Sequence, residues 1–185
     1  MERSVKGEAY SVKWSFLCIF LVMSLQPLQM PGDKEWEVEK ASVIVNVRTN
    51  TLALIEANHI AEIHPVATGK KGDETPLGQF TVLVKVEQPY YRKKNIPGGD
   101  ARNPLGSRWI GFDALGTAGR TYGLHGTNRP GSIGYSASAG CIRLANPTIE
   151  RLYRKIDIGS KIFVVNEHRS FQAIAKEAGL IKEQN

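Results

Sequence analysis

Between residues 42 and 67 the chain reads SVIVNVRTNTLALIEANHIAEIHPVA, three short runs rich in Val, Ile, Leu and Ala, interrupted by a Thr-Asn and an Ala-Asn pair. Runs this short cannot bury one face of a helix, and Asn readily enters the left-handed turn conformation, so the punctuation specifies a meander of hairpins. Strands are expected over 42–47, 51–56 and 60–67. A turn-rich stretch, GKKGDETPLGQF, follows, and then TVLVKVE over 81–87 alternates with the period of two that marks a half-buried strand.

Residues 89–108, PYYRKKNIPGGDARNPLGSR, hold three prolines and three glycines and are expected to form a long loop or flap. Short apolar runs at 109–112 and 121–124 are expected strands. Asn146-Pro147 reads as a helix start, with Asn146 as the capping residue and proline at the first helical position. Ile149, Leu152, Tyr153 and Ile156 then share one helical face, and Gly159 closes the element. A last strand is expected over 161–165. From Ser170 onward, Phe171, Ile174, Ala175 and Ala178 fall in phase for a short C-terminal helix. The expected fold class is mainly β, with one packed helix near 147–157 and that short helix at the end. A length of 185 residues fits one domain, and 42% apolar with 23% charged residues excludes a disordered chain and a polytopic membrane protein.

Residues 14–25, WSFLCIFLVMSL, carry no charge and follow Arg3, Lys6 and Lys13, the pattern of a signal sequence. No small-x-small cleavage site follows, so residues 1–30 are expected to be a signal anchor or signal peptide, with a charged linker over 31–41. The folded part is then expected outside the cytosol, bound to the membrane through its N-terminal segment. The net charge of +6 suits anionic partners, among them lipid, nucleic acid and acidic wall polymers. Scattered Lys and Arg and an outward-facing domain argue against nucleic acid. Of the two cysteines, Cys18 lies in the apolar run, so no disulfide is expected and Cys141 is read as a free thiol.

Cys141 closes the segment YGLHGTNRPGSIGYSASAGCIRLAN, residues 122–146. A cysteine nucleophile reacts as thiolate and needs a base, and His125 stands sixteen residues earlier across a loop of small residues. Gly140 allows a tight bend that would bring amide N–H groups near the sulfur, where an oxyanion develops. From these residues alone a catalytic pair and an ordinary buried thiol both stay open. Cys141, His125, His59 and His64 are metal-ligand types, yet no CxxC or HExxH spacing is present, so neither metal nor cofactor is expected. His59, His64 and His168 are read as exposed or hydrogen-bonded histidines.

The stretches His125-Gly126-Thr127, Ser138-x-Gly140-Cys141-Ile142-Arg143-Leu144 and Asn146 together resemble the signature of the L,D-transpeptidase catalytic domain, the YkuD-like family. Thr75-Pro76-Leu77-Gly78-x-Phe80 and Trp109-Ile110-Gly111-Phe112 are similar to its recurring segments, and the resemblance covers residues 42–166. Many members carry histidine before the Gly-Cys pair, where this chain has Ala139. The resemblance implies a β-sandwich-like catalytic domain over 42–166, with a C-terminal helical tail over 167–185. It also implies a cysteine acyltransferase acting on peptidoglycan stem peptides. Cys141 would attack, His125 would serve as base, and the Gly126 carbonyl would orient the imidazole. The amides of Gly140 and Cys141 would form the oxyanion hole. Ser138 would brace the loop and, with Arg143, Thr127 and Tyr122, belong to the substrate site. The implied product is a 3→3 cross-link made through a thioester by a monomeric enzyme at the cell wall. The alternatives are an L,D-carboxypeptidase that uses water as acceptor, and a catalytically weakened wall-binding module.

Overall fold

The computed structural model describes residues 40–182. The expected anchor at 1–30 and nearly all of the linker lie outside the described residues. Ten strands are present among them: β1 (Ser42–Asn46), β2 (Thr51–Glu56), β3 (His59–Pro65), β4 (Thr68–Gly69), β5 (Gly78–Glu87), β6 (Arg108–Phe112), β7 (Tyr122–His125), β8 (Ser136–Ser138), β9 (Ile142–Arg143) and β10 (Lys161–Val165). Two α-helices accompany them, α1 (Asn146–Lys155) and α2 (Phe171–Glu177). Eight strands form one sheet in the order β3-β2-β1-β10-β5-β6-β7-β9, and β4 pairs with β8 separately.

The first hairpins follow the punctuation of the sequence. Ala57 and Asn58, with φ of 46° and 65°, form the two-residue left-handed turn between β2 and β3, the geometry that matches the twist of paired strands. β1 reads as an unbroken apolar run because both of its faces are covered. Val43 and Val45 enter the main core, while Ile44 faces a second cluster with Ala53, Ile55, Ile174 and Ala175. α2 supplies the last two of these, so the C-terminal segment forms a layer over one face of β2 and β1. Its first turn is capped by Ser170, whose Oγ accepts from the Ala173 N–H at 3.3 Å.

The sheet is curled, so one core collects Leu52 and Leu54 of β2, Ile110 and Phe112 of β6, Leu124 of β7 and Ile142 of β9. Ile149, Leu152 and Ile156 of the first helical region fill the same core, with Tyr153 packed at its edge. Each fully buried aliphatic side chain contributes roughly 2 kcal/mol through area removed from water. Closure of the curl is visible at Ala67, just past β3, which exchanges two backbone hydrogen bonds with Arg143 of β9 at 2.9 and 2.8 Å.

Several boundaries differ from expectation for identifiable reasons. β5 begins at Gly78 because β10 continues its pairing to that point, Val164 opposite Gly78. β7 extends to His125, which pairs with Trp109 on one side and Arg143 on the other. Asn146 does not cap α1. Ala145 occupies the capping position without a side-chain bond, and the Asn146 amide is used elsewhere. Residues 89–107 are a long loop, as expected, but one folded around buried Asn103. Its Nδ2 donates to the Pro89 and Pro97 carbonyls at 2.8 and 3.1 Å, and its Oδ1 accepts from the Leu105 N–H at 2.9 Å.

Candidate active site

Parallel pairing of β7 with β9 aligns Leu124 with Ile142 and His125 with Arg143. Side chains alternate along a strand. Leu124, Ile142 and Leu144 therefore point into the core, and His125, Cys141 and Arg143 share the opposite face. The two residues that stand sixteen apart in sequence are thus placed on one face of neighbouring parallel strands, His125 at the end of β7 and Cys141 just before the start of β9.

His125 is buried, and its ring stacks on Trp109 with centroids 5.6 Å apart and planes 19° from parallel. The indole is fixed in turn by its own N–H, which donates to the Gly119 carbonyl at 2.9 Å. Gly111 and Gly123 make room for it, since a Cβ on either would fall 2.6 or 2.7 Å from the indole. Sequence reasoning assigned Trp109 no role. A signal existed: Trp109 and Gly111 share one face of β6, Gly123 and His125 share one face of β7, and large residues there oppose absent side chains.

The imidazole Nδ1 lies 2.6 Å from the Gly126 carbonyl oxygen. A carbonyl oxygen only accepts, so Nδ1 carries the proton and Nε2 presents a lone pair. Burial holds the His125 pKa down at about 4, Arg143 adds repulsion, and the Gly126 and Leu105 carbonyls oppose both. Cys141 is half-buried, and its thiol donates to the Thr121 carbonyl at 3.3 Å. Burial pushes the thiol pKa up, partly offset by the Gly123 N–H and by the charges of Arg143 and Lys93. The resting pair at neutral pH is consequently thiol and imidazole, both uncharged.

Ser138 braces the cysteine loop. Its hydroxyl donates to the Cys141 carbonyl and accepts from the Gly140 N–H, at 2.5 and 3.1 Å. The Gly140 amide, expected at the oxyanion hole, is thereby engaged within the loop, and Ser138, expected at the substrate site, is 2% exposed. Thr127 is also buried, and its Oγ1 accepts from the Arg129 N–H at 3.0 Å, which likewise makes it a loop brace. Gly140 does make the bend expected of it. Its φ is +98°, and a Cβ there would meet the Tyr122 ring at 3.0 Å, so Tyr122 packs beneath the loop while remaining partly open. Arg143 is half-buried beside the cysteine, with Nη1 donating to the Ala137 carbonyl at 3.3 Å. Ala139 is exposed. The loop is anchored from outside by β4, which pairs with β8, and by the Lys70 N–H, which donates to the Ser138 carbonyl at 3.0 Å.

The other histidines stay apart from this face. His59 Nδ1 lies 3.2 Å from the Ala57 carbonyl, His64 meets Glu62 at 2.7 Å, and His168 Nδ1 accepts from Arg48 Nε at 3.2 Å. Among the described residues no group of three or more His, Cys, Asp or Glu side chains converges.

Comparison with known proteins places the chain in a family. The YkuD family, described as the L,D-transpeptidase catalytic domain, matches residues 40–164. A putative L,D-transpeptidase YqjB of Bacillus subtilis is 51% identical over 176 residues, covering 92% of this chain and 96% of that protein. The putative L,D-transpeptidase YkuD of the same species is 31% identical over 139 residues, covering 75% of this chain and 74% of that one. In fold, an L,D-transpeptidase from Stackebrandtia nassauensis superimposes with a TM-score of 0.54 at 24% identity, over 71% of this chain and 58% of that one. With the family matched across most of its length and a near full-length relative sharing half its residues, this chain belongs to the L,D-transpeptidase catalytic-domain family.

Proposed function

We propose that the chain is a cysteine-dependent L,D-transpeptidase that joins peptidoglycan stem peptides by 3→3 cross-links through a thioester on Cys141. One observation carries the reading: the 2.6 Å contact of His125 Nδ1 with the Gly126 carbonyl leaves Nε2 as the only basic atom of the ring, on the strand face that also bears Cys141. A neutral pair reacts by general-base catalysis. As the sulfur attacks the carbonyl of the third residue of a tetrapeptide stem, its proton leaves the Thr121 carbonyl and passes to His125 Nε2. The S–C bond forms, the C–N bond to the terminal D-alanine breaks, and the imidazolium returns its proton to the departing amine. An amine of a second stem then attacks the thioester carbonyl, its proton passes back through His125 to the sulfur, and the cross-linked product departs.

With the Gly140 amide engaged by Ser138, the Cys141 N–H is the oxyanion donor that this reading retains. Arg143, on the same face, is assigned a substrate carboxylate, and the Trp109 stack together with the Gly126 carbonyl keeps the base oriented through both half-reactions. The enzyme would act outside the cytoplasm, held at the membrane by residues 1–30. Among the described residues no helix is long and apolar enough to cross a membrane.

Incubation with a disaccharide-tetrapeptide, read by mass spectrometry, tests the reaction. Cross-linked dimers with release of D-alanine are expected, and both must vanish in Cys141→Ala. Tripeptide products alone would assign hydrolysis in place of transfer. Products undiminished in Cys141→Ala would remove the cysteine mechanism.

A further inference from the structure

Asn146 stands at the start of α1 with a sequence context that suits a helix cap, yet its side chain turns away from its own helix. Oδ1 accepts from the Thr127 N–H at 3.1 Å and from the Ser107 N–H at 3.3 Å, and Nδ2 donates to the Thr127 carbonyl at 3.3 Å. The amide therefore fastens the chain just after His125 to the end of the loop 89–107. The backbone has been cleared to let it in. A Cβ on Gly126 would lie 2.1 Å from Asn146 Oδ1, and one on Gly106, where φ is +64°, would lie 2.2 Å from the same atom. Two glycines from different segments thus leave space for one oxygen.

The peptide that this oxygen grips is the Gly126–Thr127 unit. Its nitrogen belongs to Thr127 and its carbonyl oxygen is the one that receives the Nδ1 proton of His125. A peptide unit is planar, so fixing the direction of the Thr127 N–H fixes the Gly126 C=O pointing the opposite way. On the same backbone the Gly126 N–H donates to the Arg108 carbonyl at 3.3 Å, and the His125 carbonyl accepts from the Leu144 N–H at 2.8 Å. Among the described residues the other hydrogen bond on the Gly126–Thr127 plane is the one to the histidine itself, so Asn146 decides whether the carbonyl stays aimed at Nδ1.

We infer that Asn146 is a positioning residue of the reaction, acting through the Gly126 carbonyl to keep His125 in the Nδ1–H tautomer with Nε2 free for the thiol proton. It performs through a main-chain oxygen the orienting task that a side-chain carboxylate performs in a serine-protease triad. The same grip ties the end of the loop 89–107, through the Ser107 N–H, to the backbone that orients the base.

The inference rests on the proposed function and is tested separately from it. Long-range 1H–15N correlation spectra of the wild-type protein at pH 7 are expected to show His125 protonated on Nδ1. A wild-type Nε2–H tautomer would overturn the inference without any variant. In Asn146→Ala, the spectra are expected to show mixed tautomers, and kcat with the tetrapeptide is expected to fall roughly 10- to 100-fold with KM little changed, as for a base displaced by a fraction of an ångström. Asn146→Asp keeps an acceptor for both N–H groups and is expected to retain the Nδ1–H tautomer and most of kcat, with the acid limb of the pH profile moved upward by the added negative charge. If both variants lose thermal stability while tautomer and kcat per folded molecule stay at wild-type values, Asn146 is structural and the inference fails. If the wild type has the stated tautomer and Asn146→Ala loses it, but no acyl transfer occurs in any form, the positioning stands and the proposed reaction fails.

Discussion

At the residue scale, the proposed chemistry turns on two groups that burial keeps uncharged. His125, ordinarily near 6.5, titrates at about 4 in the fold, and the Cys141 thiol lies above its usual value. The base is therefore competent throughout the neutral range, and the rate of Cys141 acylation should fall as pH drops through about 4, with no break near 6.5. Stopped-flow acylation from pH 3 to 8 measures this, and a break near 6.5 would show that the histidine is not buried as described. The elevated thiol predicts the complementary result with iodoacetamide: at pH 7 alkylation should be slower than that of a free cysteine peptide, because less thiolate is present. The same histidine links pH to folding. Between pH 6.5 and 4 the unfolded chain takes a proton that the native state refuses, so stability is full above 6.5 and declines as pH falls, by roughly 3 kcal/mol in all. Urea midpoints across that window should flatten in His125→Gln, which cannot titrate, and an unchanged slope would assign the decline to other groups.

At the element scale, the site is a product of strand parity. β6 and β7 place a tryptophan and a histidine on one face and pay for the close stack with two glycines. Gly123→Ala would put a methyl 2.7 Å from the indole. It is expected to destabilise the fold by about 1–3 kcal/mol through overpacking and to lower kcat by tilting the platform under His125. Thermal denaturation alongside kcat checks both, and unchanged values in each would detach Trp109 from catalysis. On the other face, α2 and the main site are separate. Ile174→Ala removes a buried side chain from the second cluster and should cost about 2–5 kcal/mol of stability while leaving kcat per folded molecule unchanged. Loss of kcat without loss of stability would mean that α2 reaches the site in some way that its packing does not show.

At the scale of the whole molecule, the strands that bury their own β-branched runs were legible, because periodicity and turn residues agree over 42–65 and again over 161–165. Of those that build the site, β6 and β7 were legible as short apolar runs, and the shortest strands were not. β4, β8 and β9 are two or three residues long, Thr-Gly, Ser-Ala-Ser and Ile-Arg, and their pairing is set by remote segments that no local pattern records. Asn146 was misread for a related reason. Asn before Pro is sound local grammar for a helix start, but tertiary partners on Ser107 and Thr127 claimed the amide first. Gly140 shows the limit from the other side: the bend was foreseen, while the capture of its N–H by Ser138 depended on a hydrogen bond two residues back in the loop. The proposed pairing of Cys141 with His125 was suggested by spacing and carried by resemblance, and what the register of β7 against β9 adds is that the two residues lie on neighbouring strands and on one face.

The central claim is a covalent one, and intact-mass analysis of the protein quenched in acid during turnover on a tetrapeptide stem tests it most directly. The account predicts an adduct equal to the stem less its terminal D-alanine, mapped by peptide analysis to Cys141 and absent from Cys141→Ala. Turnover that proceeds with no such adduct, or an adduct on any other residue, would contradict it.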